Sequence, residues 1–219
     1  MGTPLTLVSV TLAAYLIGSL PFAYTIVRLV TGEDITTHGS GNIGAMNVRR
    51  TTGSWSWFIV AMLCDVLKGF VPVLAAAWLA SMLSGTTALA MPARQAALAG
   101  AVLGHNYSIW MAIKRHRFVR TGKGLATGGG ALLAYDWRYA IAVVVIALVV
   151  IAITKYMMAG QVAAALSLPL IALALGSADW PFALVMGLVV YVAHHKRFVG
   201  MLKGLEPKLY IRDRMGPQG

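Results

Sequence analysis

A chain of 219 residues that is 58% hydrophobic, 11% charged and has a mean hydropathy of +0.74 is too apolar to be a water-soluble globular domain. Its 18 Lys and Arg against 7 Asp and Glu give a net charge of +11; in so apolar a chain this excess belongs in the loops, where it reports topology and gives no ground for expecting nucleic acid. The single cysteine, Cys64, lies within an apolar run, which excludes a disulfide framework and a thiolate metal cluster.

The first apolar window, Leu5 to Val30, has no basic residue before Arg28 and no small-residue cleavage site, so it is expected to be retained as a membrane span. Between it and the second window, Trp55 to Leu83, lies Gly39-Ser40-Gly41-Asn42-Ile43-Gly44-Ala45-Met46-Asn47-Val48-Arg49-Arg50. Gly39, Gly41 and Gly44 let backbone amides approach a ligand. Ser40, Asn42 and Asn47 supply neutral hydrogen bonds, and Arg49 and Arg50 offer forked charge to phosphate. The three glycines match G-x-G-x-x-G, but they follow a membrane helix and lack the βαβ context of a dinucleotide site. Inside the second window, Asp65 and Lys68 stand three apart on one helix face, where they can pair.

The third window, Ala96 to Ile113, carries Gly104-His105-Asn106-Tyr107-Ser108. Gly104 permits close helix packing, and His105 can hydrogen-bond across the bundle or serve the basic loop that follows. That loop runs from Lys114 to Gly122-Lys123-Gly124, which lacks the Ser or Thr after lysine and the earlier glycine spacing of a Walker loop. Phosphate binding without a nucleotide is the chemistry that remains. A short, glycine-rich fourth window, Leu125 to Tyr135, is followed by Arg138 to Met158, Gly160 to Leu175, Trp180 to Ala193 and a basic tail. The tryptophans fall mostly at window boundaries, as an interfacial belt does. His38, His105, His116, His194 and His195 show no metal-ligand spacing, and no metal site is expected.

Seven windows put the termini on opposite sides. With the N-terminus outside, 15 basic residues face the cytoplasm against Arg94 and Arg138 outside, with Lys68 within a span. The expected fold is an all-α integral membrane bundle of seven spans, N-terminus outside and C-terminus cytoplasmic, forming one domain over residues 1–219. All ligand-like stretches then fall on the cytoplasmic face and converge on one pocket. Polar groups gathered at one face, without repeated halves, favour an enzyme over a transporter or channel for a phosphorylated metabolite.

These residues resemble a known family, the bacterial acyl-phosphate-dependent glycerol-3-phosphate acyltransferases (PlsY). The matching stretches are Gly18-Ser19-Leu20-Pro21-Phe22, Ser40 to Arg50, Asp65 to Gly69, Gly104 to Ser108, Gly122 to Thr127 and Gly204 to Leu209. The resemblance implies a seven-span enzyme of the bacterial inner membrane. It implies transfer of a fatty acyl group from acyl phosphate to the 1-hydroxyl of glycerol 3-phosphate, giving lysophosphatidic acid and phosphate without coenzyme A or another cofactor. It further implies catalytic roles for Ser40, Arg50, Lys123 and His194, with Arg50 and Lys123 on phosphate and His194 in hydrogen bonding or proton transfer. Substrate contacts are implied for Gly41, Asn42, Gly44, Asn47, His105, Gly122, Gly124, Thr127 and Glu206. Beyond these two substrates and membrane lipid, the residues name no partner.

The chain departs from the family pattern in several places. Met46 stands where threonine is usual, Thr121 where glycine is, and Met158 where serine is. His195, Lys196 and Arg197 replace the common Arg, Glu and Asn, and the stretch from Trp110 to Lys123 is about six residues longer than usual. These changes remove polar contacts and add positive charge. They keep open, as the alternative, a relative with another phosphorylated acceptor or with no activity.

Overall fold

Pro4 opens α1 (Thr3–Gly18), a position where its missing N–H costs nothing, and Pro21 ends the same run by separating it from α2 (Phe22–Thr31). The break frees two backbone carbonyls in an apolar setting, and each finds a side-chain donor. Ser108 Oγ donates to the Ser19 carbonyl at 2.5 Å and Lys68 Nζ to the Leu20 carbonyl at 2.9 Å. A 3-10 turn (Ile35–Thr37) and a loop lead to α3 (Ala45–Thr52) and then α4 (Trp55–Ser84), whose N-cap Ser54 accepts from the Trp57 amide. The computed structural model describes residues 1–205.

The next elements are α5 (Ala90–Asn106), α6 (Ile109–Arg115) and α7 (Leu125–Tyr135). The window Ala96 to Ile113 is thus two helices, because Ser108 breaks off from α5 to cap α6 through a bond from the Met111 amide. Small residues decide which helices meet. A methyl added to Gly18 would collide with the Ala101 carbonyl, and one on Gly104 with the Tyr15 carbonyl, so α1 and α5 cross at backbone contact. In the same way Gly69 lies on the Thr127 carbonyl and Gly130 on the Val66 carbonyl, which locks α7 against α4.

Contacts divide the chain into two units, the first Met1–Ala140 and the second beginning at Ile141. The second holds most of α8 (Trp137–Thr154), then α9 (Met157–Ala174) and α10 (Trp180–Leu202). Lys155, at φ 63°, ends α8 earlier than the apolar window suggests. Gly187 of α10 packs on the Ala165 carbonyl of α9. The last helix outruns its apolar window because His195, Lys196 and Arg197 ride an exposed face without interrupting it.

Among the described residues, five stretches are long and apolar enough to cross a membrane: Thr3–Thr31, Trp55–Ser84, Trp137–Thr154, Met157–Ala174 and Trp180–Leu202. Among the described residues, α7 is apolar but has only 11 residues, about 16 Å of helix.

Candidate active site

The first glycine-rich loop is organised from inside by Asn47 on α3. Its amide nitrogen donates to the carbonyls of Ile35 (3.0 Å), His38 (3.0 Å) and Asn42 (3.1 Å), while its Oδ1 accepts from the Ser40 amide at 3.2 Å. Such an inward coil requires left-handed backbone at Gly39 and Gly41, and a side chain on Gly39 would overlap Asn47 Oδ1. Asn47 is therefore committed to shaping the loop. Upstream, Asp34 caps the 3-10 turn by accepting from the amide and hydroxyl of Thr36 at 2.9 and 2.7 Å. Burial pushes the Asp34 carboxyl up, but those bonds and the charges of Lys114 and Arg115 outweigh it and hold the group below the usual aspartate range.

Arg50, expected in a loop, stands in the last turn of α3, which Gly53 closes with left-handed backbone. Cationic residues suit that helix end. Arg49 is drawn aside, with its guanidinium 3.7 Å from the Trp55 ring centroid. Arg50 is exposed and its guanidinium makes no hydrogen bond or ion pair among the described residues. Ser40 is also exposed.

The second loop reaches the first through Thr121. Its carbonyl accepts from the Ile43 amide at 2.9 Å, and its own amide donates to the Asn106 carbonyl at 2.8 Å. Arg120 Nε then folds back onto the Gly122 carbonyl at 2.9 Å, its burial holding the guanidinium below the usual arginine range. Lys123 follows, half-buried, and Gly124 turns the chain into α7 with φ 71°.

Beneath this turn lies a buried polar cluster. Gly122 sits against the His105 ring so closely that a side chain there would strike Nε2. His105 Nδ1 is 3.0 Å from Thr127 Oγ1 and 3.7 Å from Asp65 Oδ1, and Asp65 pairs with Lys68 at 2.8 Å. The pairing expected from the spacing of Asp65 and Lys68 is thus present, and both side chains are 2% exposed. The cluster connects the α1–α2 break to the floor of the lysine loop.

The structure therefore joins Ser40, Gly41, Asn42, Gly44, Asn47 and Arg50 in one loop-and-helix unit. Gly122, Lys123, Gly124, Thr127 and His105 form a second, tied to the first by the Ile43–Thr121 bond. His194 belongs to the other unit of the chain, buried on α10 with Nδ1 donating to the Val190 carbonyl at 2.8 Å. Glu206 lies outside the described residues. Ser19, Ser108 and Thr121 act as fastenings that the sequence signals only as polar residues near a proline, a helix end and a glycine. Among the described residues no cluster of three or more His, Cys, Asp or Glu is placed to hold a metal.

The sequence model of the glycerol-3-phosphate acyltransferase family matches residues 8–204. A glycerol-3-phosphate acyltransferase of Thermus thermophilus is 38% identical over 202 residues, 90% of this chain and 92% of that protein. One of Rhodospirillum rubrum is 36% identical over 214 residues, 94% of this chain and 92% of that protein. Among solved structures, PlsY, an integral membrane glycerol 3-phosphate acyltransferase, matches in its glycerol 3-phosphate form with a TM-score of 0.77 and 26% identity, covering 93% of this chain and 96% of that one. Its lysophosphatidic acid form matches with a TM-score of 0.75.

Proposed function

The chain belongs to the glycerol-3-phosphate acyltransferase family and is a membrane enzyme that acylates glycerol 3-phosphate; we propose that it draws the acyl group from acyl phosphate, at a site on the cytoplasmic face of the bacterial inner membrane. The acceptor's 1-hydroxyl oxygen attacks the acyl carbon, the carbon–oxygen bond to phosphate breaks, and the hydroxyl proton leaves with the phosphate. The products are lysophosphatidic acid and inorganic phosphate. A mixed anhydride carries its own good leaving group, so no acyl-enzyme and no coenzyme A are required. Holding two anions together and steadying oxyanion charge supplies most of the rate.

In this reading Arg50 and Lys123 bind phosphate, Ser40, Asn42 and the amides around Gly41 and Gly44 orient substrate oxygens, and Asn47 holds that loop in shape. Gly122 and Gly124 bring backbone to the ligand over the floor formed by His105 and Thr127. His194 assists by hydrogen bonding or proton transfer, its side chain being suited to either, and Glu206 serves a glycerol hydroxyl. Helices α5 and α7 complete seven crossings of one domain, residues 1–219, with the N-terminus outside.

The observation that supports the site best is the Ile43–Thr121 hydrogen bond, which brings the loop of Ser40 and the loop of Lys123 side by side. Purified protein in detergent, given palmitoyl phosphate and glycerol 3-phosphate, is expected to release phosphate only when the acceptor is present. Absence of release with any polyol phosphate would overturn the reading. Release with another acceptor alone would reassign the substrate.

A further inference from the structure

We infer that Thr121 is a positioning residue that sets Lys123 against the first loop, an inference that rests on the acyl-transfer reading above. Every polar group of this residue is engaged. Its side chain is buried at 3% exposure. The hydroxyl lies 3.0 Å from the His105 carbonyl and 3.2 Å from that of Asn106, and it accepts from the Ser108 amide at 3.2 Å. The backbone amide takes the Asn106 carbonyl and the backbone carbonyl takes the Ile43 amide.

Helix ends explain why this matters. The last carbonyls of α5 have no partner within the helix. Thr121 satisfies those of His105 and Asn106 from a distant part of the chain, so the end of α5 becomes a fixed mount for the lysine loop. Ser108 extends the mount, since it bonds Thr121, caps α6 and holds the broken end of α1 through the Ser19 carbonyl. From the end of α6 at Arg115 to Lys123 the chain carries no helix or strand, and an irregular tether loses freedom when it is ordered. Thr121 gives that tether a side-chain anchor two residues before Lys123.

The test compares wild type with Thr121→Ser, Thr121→Val and Thr121→Gly, measuring kcat and KM for glycerol 3-phosphate together with melting temperature. Thr121→Ser keeps the hydroxyl and should stay within about twofold of wild type. Thr121→Val keeps the volume but loses the hydroxyl, and should lose about tenfold in kcat/KM through a raised KM, as expected for one or two lost hydrogen bonds. Thr121→Gly leaves the backbone bonds in place and should behave alike, which decides the matter if the valine variant fails to accumulate. Lower melting temperatures with unchanged kinetics would make Thr121 merely structural and overturn the inference. An inactive wild type would sink the acyl-transfer reading and this inference with it, whereas an active wild type matched by the valine and glycine variants would sink the inference alone.

Discussion

Ile43 donates its amide to the carbonyl of Thr121 at 2.9 Å, a single backbone bond that couples two glycine-rich loops contributed by distant parts of the chain. Because it joins main chain to main chain, it fixes spacing without specifying a side chain at position 43. In the proposed reaction Arg50, at the end of α3, and Lys123, ahead of α7, serve the two anionic substrates as a set.

Replacing either cation should lower activity sharply and spare the fold. Arg50→Ala and Lys123→Ala each forfeit charge-assisted hydrogen bonds worth about 1.5–3 kcal/mol, so acyl transfer should fall roughly 10- to 150-fold per variant. Arg50 is exposed and Lys123 half-buried, so neither side chain belongs to the buried core. Phosphate-release assays beside detergent melting curves check this. Loss of folded protein in both variants would make the residues structural.

Ser40→Ala should cost less. Its backbone amide, not its hydroxyl, holds the loop through Asn47 Oδ1, so the substitution leaves the loop intact. One neutral hydrogen bond contributes about 0.5–1.5 kcal/mol, which predicts a two- to twelvefold loss in kcat/KM. A loss as deep as that of Arg50→Ala would assign the hydroxyl to proton transfer. By contrast Asn47→Ala removes its bonds to three carbonyls and the Ser40 amide at once, leaving only backbone partners at Ile35 and His38, and should collapse the loop.

How much of this was legible follows from the range of the interactions. The apolar windows Leu5 to Val30, Trp55 to Leu83 and Leu125 to Tyr135 recur as helices within a residue or two, because local composition alone decides whether backbone can sit in lipid. Asp65 and Lys68 were legible as a pair because helical spacing is local too. The break at Ser108, the α3 helix under Arg50 and the knot at Thr121 were not, since each depends on a partner remote in sequence. Phosphate-loving residue types could be read from the loops, but the bond that makes the loops neighbours could not.

Acid should loosen the entrance to the first loop. The folded-state pKa of Asp34 lies below its unfolded value, so its contribution is fully present above the unfolded value and is lost as pH falls through the folded one. Asp34→Asn should therefore melt below wild type at neutral pH, and the gap should close as pH drops through and below the ordinary aspartate range. A gap that stayed constant with pH would show that the Thr36 bonds do not depend on the carboxylate's charge.

The Asp65–Lys68 pair offers the sharpest test of the packing. Removing one partner strands a charge at a site where both side chains are 2% exposed, so Asp65→Asn and Lys68→Met should each destabilise by about 3–5 kcal/mol. The double variant strands neither charge and should recover most of that loss. Recovery should fall short by about 1 kcal/mol, because Lys68 also satisfies the Leu20 carbonyl at the proline break, and no substitution at Asp65 replaces that bond. A double-mutant cycle on detergent-solubilised protein measures both parts. Strictly additive single losses would mean that the two charges do not stabilise one another, and would leave the lysine as a cap on the broken helix alone.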